Sequence, residues 1–112
     1  MNKKVYPILS LFIIISILLS GCGSYTAKDI GQKLENLKKI GYNTKAYSSS
    51  TYYASKNGDN VWIYVIEDIA SAKEFYKHIE SEPRHKDKIV ERDRNIVYLG
   101  TSQKVVNDAR QC

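Results

Sequence analysis

His78 and His85 are the first residues to weigh for chemistry, because imidazole is the side chain that exchanges protons near neutral pH and the commonest metal ligand. They lie seven residues apart, which on an unbroken helix would put both on nearly one side, and Glu80, Glu82 and Asp87 are near enough in sequence to complete a metal-binding cluster. Pro83 interrupts that path, and the i to i+4 histidine pair of helical metal sites is missing, so the pattern favours surface histidines at a charged helix end. Neither a bound metal nor a cofactor is expected. No serine stands in a Gly-x-Ser-x-Gly setting, and Ser48, Ser49 and Ser50 have the composition of a connection. Gly21, Gly23, Gly31, Gly41, Gly58 and Gly100 are scattered without the spacing of a phosphate cradle. Cys112, at the end of the sequence, reads as part of a mobile tail and sits beside no base. What remains is a thiol at position 22 and a set of aromatic side chains.

The thiol stands in a telling place. Lys3 and Lys4 form a positive start, Val5 to Leu19 an apolar middle, and small residues follow, which is the order of a secretory signal. A membrane-spanning helix needs about 20 apolar residues, whereas this run is interrupted by Pro7 and stops at Cys22. Leu19-Ser20-Gly21-Cys22 resembles the lipobox of bacterial lipoproteins. That resemblance implies transfer of a diacylglyceryl group to the Cys22 sulfur, cleavage between Gly21 and Cys22, and a mature protein held to a membrane by its first residue. Two acyl chains suffice for stable anchoring where one does not. The lysines before the apolar run keep that side cytoplasmic, so everything after Cys22 should face outward. The bias toward Lys, Ile, Asn and Tyr resembles that of AT-rich Gram-positive genomes, which would place the anchor in the outer leaflet of the cytoplasmic membrane.

The chain therefore divides into a signal segment (1–21), a lipidated start with a short tether (22–25) and one domain (26–112). Loss of residues 1 to 21 leaves 91, enough for one core, and lowers the formal net charge from +5 to +3 as Lys3 and Lys4 depart. A tether of Gly23, Ser24 and Tyr25 spans only about 10 Å when extended, so the domain should sit close to the bilayer. With Cys22 consumed by lipid, Cys112 has no intramolecular partner, and disulfide-linked dimers through it are one expectation.

The elements that must position the aromatic residues can be read from periodicity. A first helix opens at Thr26 with Asp29 as its capping partner, carries Ile30, Leu34, Leu37 and Ile40 as its apolar stripe, and stops at Gly41. Lys28, Lys33, Glu35, Lys38 and Lys39 fall on its wet faces. Tyr42 to Ser50 reads as a short strand or a loop. Thr51 to Lys56 and Asp59 to Glu67 flank Asn57-Gly58, the favoured pair for a type I′ turn, and so predict a hairpin. A two-residue turn pairs Lys56 with Asp59, Ala54 with Val61, Tyr53 with Trp62, Tyr52 with Ile63 and Thr51 with Tyr64. One face then holds Ala54, Val61, Tyr52, Ile63 and Val65, the natural core; the other holds Tyr53, Trp62, Tyr64 and Ile66.

A second helix is introduced by Asp68 and Ser71, with Ser71 and Glu74 as a capping box, and buries Ile69, Ala72, Phe75, Tyr76 and Ile79 before Pro83 ends it. Ile89 and Val90, a polar turn over Arg92 to Asn95, and Ile96 to Leu99 suggest a second hairpin, broken at Gly100. Thr101 or Ser102 caps a last helix bearing Val105, Val106 and Ala109. The order α-β-β-α-β-β-α predicts an α+β domain, a small antiparallel sheet of two hairpins with about three helices packed chiefly on one face.

The aromatic side chains are the remaining resource. Stacking of nucleic-acid bases would use tyrosines and lysines, but an exported domain does not meet nucleic acid. Tyr53, Trp62 and Tyr64, if uncovered, form a rigid sticky face suited to a protein or glycan partner; if a helix covers them, they are simply core. The sequence thus points to a membrane-anchored, noncatalytic interaction module whose partner is an envelope or surface protein. A small-ligand-binding lipoprotein is the alternative, disfavoured because 91 residues leave little room for a pocket, and an enzyme comes third.

Overall fold

The computed structural model describes residues 24–112, so the signal segment, Gly21 and Cys22 lie outside the described residues. The domain is α+β. Helix α1 (Ala27–Lys39) precedes strands β1 (Asn43–Ala46), β2 (Thr51–Lys56) and β3 (Asp59–Val65). Helix α2 (Ile69–Ser81) and a short 3-10 turn (Pro83–His85) lead to β4 (Ile89–Asp93), β5 (Ile96–Gly100) and helix α3 (Gln103–Gln111). The five strands form one antiparallel sheet in the order β1-β2-β3-β5-β4.

The β2–β3 register is the one that a two-residue turn dictates, from Lys56 opposite Asp59 to Thr51 opposite Tyr64. Asn57 and Gly58 take φ of 52° and 88°, the pair of positive values that selected this dipeptide. Asn43 to Ala46, open as strand or loop from sequence, is a strand that lengthens the sheet by pairing with β2. The second hairpin turns more tightly than the polar run Arg92 to Asn95 suggested. Asp93 pairs with Ile96, so Arg92 and Asp93 belong to β4, and Arg94 makes the reversal at φ 55°.

Among the described residues all three helices are capped at their starts by side chains that satisfy amide groups left over by helical bonding. Thr26 and Asp29 make the reciprocal capping box of α1, and Ser102 caps α3 by accepting from the Val105 amide. At α2 the cap is Asp68 alone, accepting from the Ser71 amide at 2.7 Å. Ser71 therefore lies inside the first turn, and the Ser71–Glu74 capping box is not formed; the aspartate wins because it comes first and its carboxylate meets the helix dipole. The helix stops at Glu82, whose ψ of 128° is the extended conformation that Pro83 imposes on its predecessor.

Two helices cover one face of the sheet. Ile30 and Leu37 of α1 and Val105, Val106 and Ala109 of α3 close over Ala54, Val61, Ile63, Ile96 and Tyr98. Helix α2 packs on the opposite face against β4 and β5, where Ala72 and Ile79 are buried together with Val97 and Leu99. Ile40, counted in the α1 stripe, is exposed, because it is the C-cap residue and its φ of −99° and ψ of 15° carry it out of helical phase. Lys33, assigned to a wet face, is buried instead: it stands three residues after Ile30 and four before Leu37, on the packed side of the helix. Its ammonium donates to the carbonyl of Ala109 at 2.6 Å, and to those of Arg110 and Cys112 at 3.4 Å, at the end of α3.

Carboxylates fasten α3 to its surroundings. Asp108 accepts from the Tyr42 hydroxyl at 2.7 Å, and this bond, with help from Lys104, outweighs partial burial and holds its pKa below the usual range. Glu91 is likewise lowered, by hydrogen bonds from Gln103 and Arg110. Both carboxyls bind protons more weakly folded than unfolded, so their contribution is complete above the ordinary carboxylate pKa and is lost as pH falls through the folded values. The urea midpoint should therefore hold near neutrality and drop between about pH 5 and about pH 2, less steeply in Asp108→Asn; equal acid slopes for variant and parent would refute the assignment.

Candidate interaction surface

Cross-strand pairing assembles the aromatic residues into one continuous run. Tyr53 and Trp62 face each other on β2 and β3 with ring centroids 4.7 Å apart. Tyr64, two residues along β3 and thus on the same face, stacks against Trp62 at 6.5 Å and 18°. Tyr47, just past β1, packs on Trp62 at 5.1 Å and edge-on to Tyr53 at 6.4 Å. Lys45 lies opposite Tyr53 and holds its ammonium 4.7 Å from the Tyr47 ring centre, within cation–π range. On the other side, Phe75 of α2 meets Tyr64 at 5.1 Å.

Coverage is uneven along this run. Helix α2 lies over β4 and β5 and reaches only the Tyr64 end. Burial pushes the Tyr64 hydroxyl above its usual pKa, with Arg84 opposing and Glu82 adding to the effect. Tyr53, Trp62 and Tyr64 are all partly exposed, and Tyr47 is 53% exposed. The three residues picked out in the sequence are thus brought together, on the sheet face away from α1 and α3. Tyr47 and Lys45 were missed because their segment had no settled register, and Phe75 because a helical apolar stripe gave no hint that one member would extend an aromatic row.

The polar candidates are arranged differently. His78 and His85 place their Nε2 atoms 3.5 and 3.0 Å from the Glu82 carboxylate, and Arg84 reaches the same group at 3.2 Å. Glu80 is occupied by the Tyr76 hydroxyl at 3.1 Å. Among the described residues no group of three or more His, Cys, Asp or Glu is placed to hold a metal ion. Cys112 is packed against the core and not on a free tail, and burial raises its thiol pKa, which disfavours the reactive thiolate.

One further cluster fixes Tyr25, near the start of the described residues. Tyr25, read as tether from sequence, packs against the core. Its amide donates to Asn95 Oδ1 at 2.6 Å, its hydroxyl donates to Asp93 at 2.5 Å, and Arg94 lies 3.9 Å over its ring. Asn95, buried to 2% exposure in the β4–β5 turn, also donates to the Tyr25 and Ile66 carbonyls, so β3, the second hairpin and the incoming chain are tied at one point. Tyr25 also lines a surface cleft of about 540 Å³ with Ser50, Val65, Ile66, Glu67 and Asn95. Among the described residues no helix is long and apolar enough to cross a membrane.

The fold and surface define an α+β domain whose sheet carries two helices on one face and a third over part of the other. No protein-family model, curated protein or solved structure matches this chain.

Proposed function

We propose that the protein is a membrane-anchored surface lipoprotein, lipidated on Cys22 and acting as a noncatalytic interaction module. The observation that carries the second half is the open run Tyr47, Tyr53, Trp62 and Tyr64, four large aromatic rings joined into one face and left partly exposed. Rigid aromatic side chains offer large contact area at small entropic cost, which is why they dominate binding surfaces. The anchored half rests on the signal-like segment and the lipobox-like residues that end at Cys22.

The anchor is tested directly. Wild-type protein should fractionate with membranes and carry a diacylglyceryl mass on its first mature residue, whereas Cys22→Ser should leave the membrane fraction or stay unprocessed and lipid-free. Mass spectrometry showing an intact chain from Met1 with an unmodified Cys22 sulfur would refute the proposal.

A further inference from the structure

We propose that the open corner of the aromatic face, formed by Tyr47, Trp62 and Lys45, rests in the phospholipid headgroup layer of the membrane that carries the anchor. This reading deepens the function above and depends on lipidation at Cys22. Its first support is where the tether leaves the fold. Tyr25 is held by Asn95 and Asp93, so the chain departs from a fixed point at the end of the sheet where β3 finishes and β4 turns into β5. From there to Cys22 is three residues, about 10 Å at full extension, which keeps that end of the domain against the lipid surface.

Tyr47 lies at the same end, and Trp62, at the middle of β3, reaches it through its ring contact with Tyr47. The Val65 amide donates to the Ser50 carbonyl at 2.8 Å, and the Ile66 amide to the Asn95 carbonyl at 2.8 Å, so the β1–β2 connection, the end of β3 and the tether point line up side by side. The Tyr47 amide donates to the Thr51 carbonyl at 2.8 Å, which puts Tyr47 on that connection. Trp62 lies three residues back from Val65, about 10 Å along the strand.

The chemistry fits a lipid interface. Trp and Tyr concentrate at the headgroup level, where an apolar ring meets lipid and its polar edge meets water. Lys45, its cationic head beside the Tyr47 ring, is suited to an anionic phosphate. A covalent tether also changes which partner wins. Effective concentrations of attached groups reach about the millimolar range, so a headgroup contact too weak to hold a free protein is populated in an anchored one. A soluble partner would have to compete with a surface that the chain itself keeps within reach.

Trp62 is the single tryptophan of the sequence, so its emission reports on this corner without labelling. The test uses the lipidated full-length product reconstituted into phosphatidylglycerol and phosphatidylethanolamine vesicles, with and without acyl chains brominated close to the glycerol. Contact predicts that the brominated lipid removes about half of the Trp62 emission, as expected for a ring at headgroup depth, and that Tyr47→Ser with Lys45→Glu restores most of it while the protein still floats with the vesicles. If lipidated protein floats but bromine leaves the emission unchanged, the anchor stands and the face proposal falls. Shielding from aqueous iodide without bromine quenching would overturn it too, in favour of a protein or glycan occupant. Absence of lipid on Cys22 would bring down the anchor and this proposal together, an outcome that mass spectrometry separates from the others.

Discussion

Gly100→Ala is expected to cost the domain about 1–3 kcal/mol, although the substitution adds a single methyl group to the end of a strand. Gly100 closes β5, paired with Val61 on one side and Ile89 on the other. A Cβ there would come within 2.6 Å of Val106 Cγ2 and 2.9 Å of Val105 Cγ1, with the Asn60 carbonyl oxygen at 3.4 Å. Both valines are fully buried in the core, and their β-branched side chains have little rotamer freedom in a helix, so neither can swing aside. The helix itself must move. It is held by Lys33, Tyr42 and Glu91, so displacement of α3 would strain all three attachments. Since a domain of this size loses about 4–8 °C of Tm per kcal/mol, the loss is easily read by circular dichroism. Gly31→Ala supplies the contrast: nothing lies within 4 Å of its Cβ, and an exposed helical glycine replaced by alanine should gain about 0.5–1 kcal/mol. If Gly100→Ala melts with the parent, the close approach of α3 to β5 is wrong.

That prediction turns on a property that no local pattern carries. From sequence, Gly100 reads as a strand breaker, because its lack of a side chain explains equally well an end and a close approach. The second needs the identity of the element that crosses above it, and α3 is brought there by the whole topology. The β2–β3 hairpin is the opposite case. Asn57-Gly58 fixes the turn, the turn fixes the register, and the register decides which side chains share a face, so the Tyr53–Trp62–Tyr64 row follows from a dipeptide. Tyr47 escapes the same reasoning since the strand that precedes it is only four residues long and that strand's partner could be named only after folding. The chain of inference from residue to surface holds as far as the pairing is local. Which half of that surface stays open depends on α2, and its preference for β4 and β5 over β1 to β3 was legible nowhere in its apolar stripe.

Lys33→Met should lower stability by about 1–2 kcal/mol at neutral pH, and the difference from wild type should grow as pH rises toward about 10. Methionine keeps the length of the buried stem and removes the donor, so the carbonyls of Ala109, Arg110 and Cys112 at the negative end of α3 lose the group that satisfies them. Against this loss stands the cost of burying an ammonium at 4% exposure, which the variant escapes. Three acceptors and two rings, Tyr25 at 6.0 Å and Tyr98 at 5.6 Å, compensate the charge well enough for the donor to win. The pH dependence follows from burial, which lowers the Lys33 pKa below its ordinary value, an effect opposed by Cys112 and Asp93. Between the folded and unfolded values the unfolded chain binds more protons, so wild-type stability increases with pH there, and methionine at that position has no such term. Tyr25 and Tyr98 stay neutral through the same range because burial raises both hydroxyls, so they leave the comparison undisturbed. Urea titrations of both proteins at several pH values between about 7 and about 10 measure the gap. A variant more stable than wild type would mean that desolvation dominates and that Lys33 does not help to hold α3. A gap that stays constant with pH would place the ammonium in water, contrary to its burial against Tyr98.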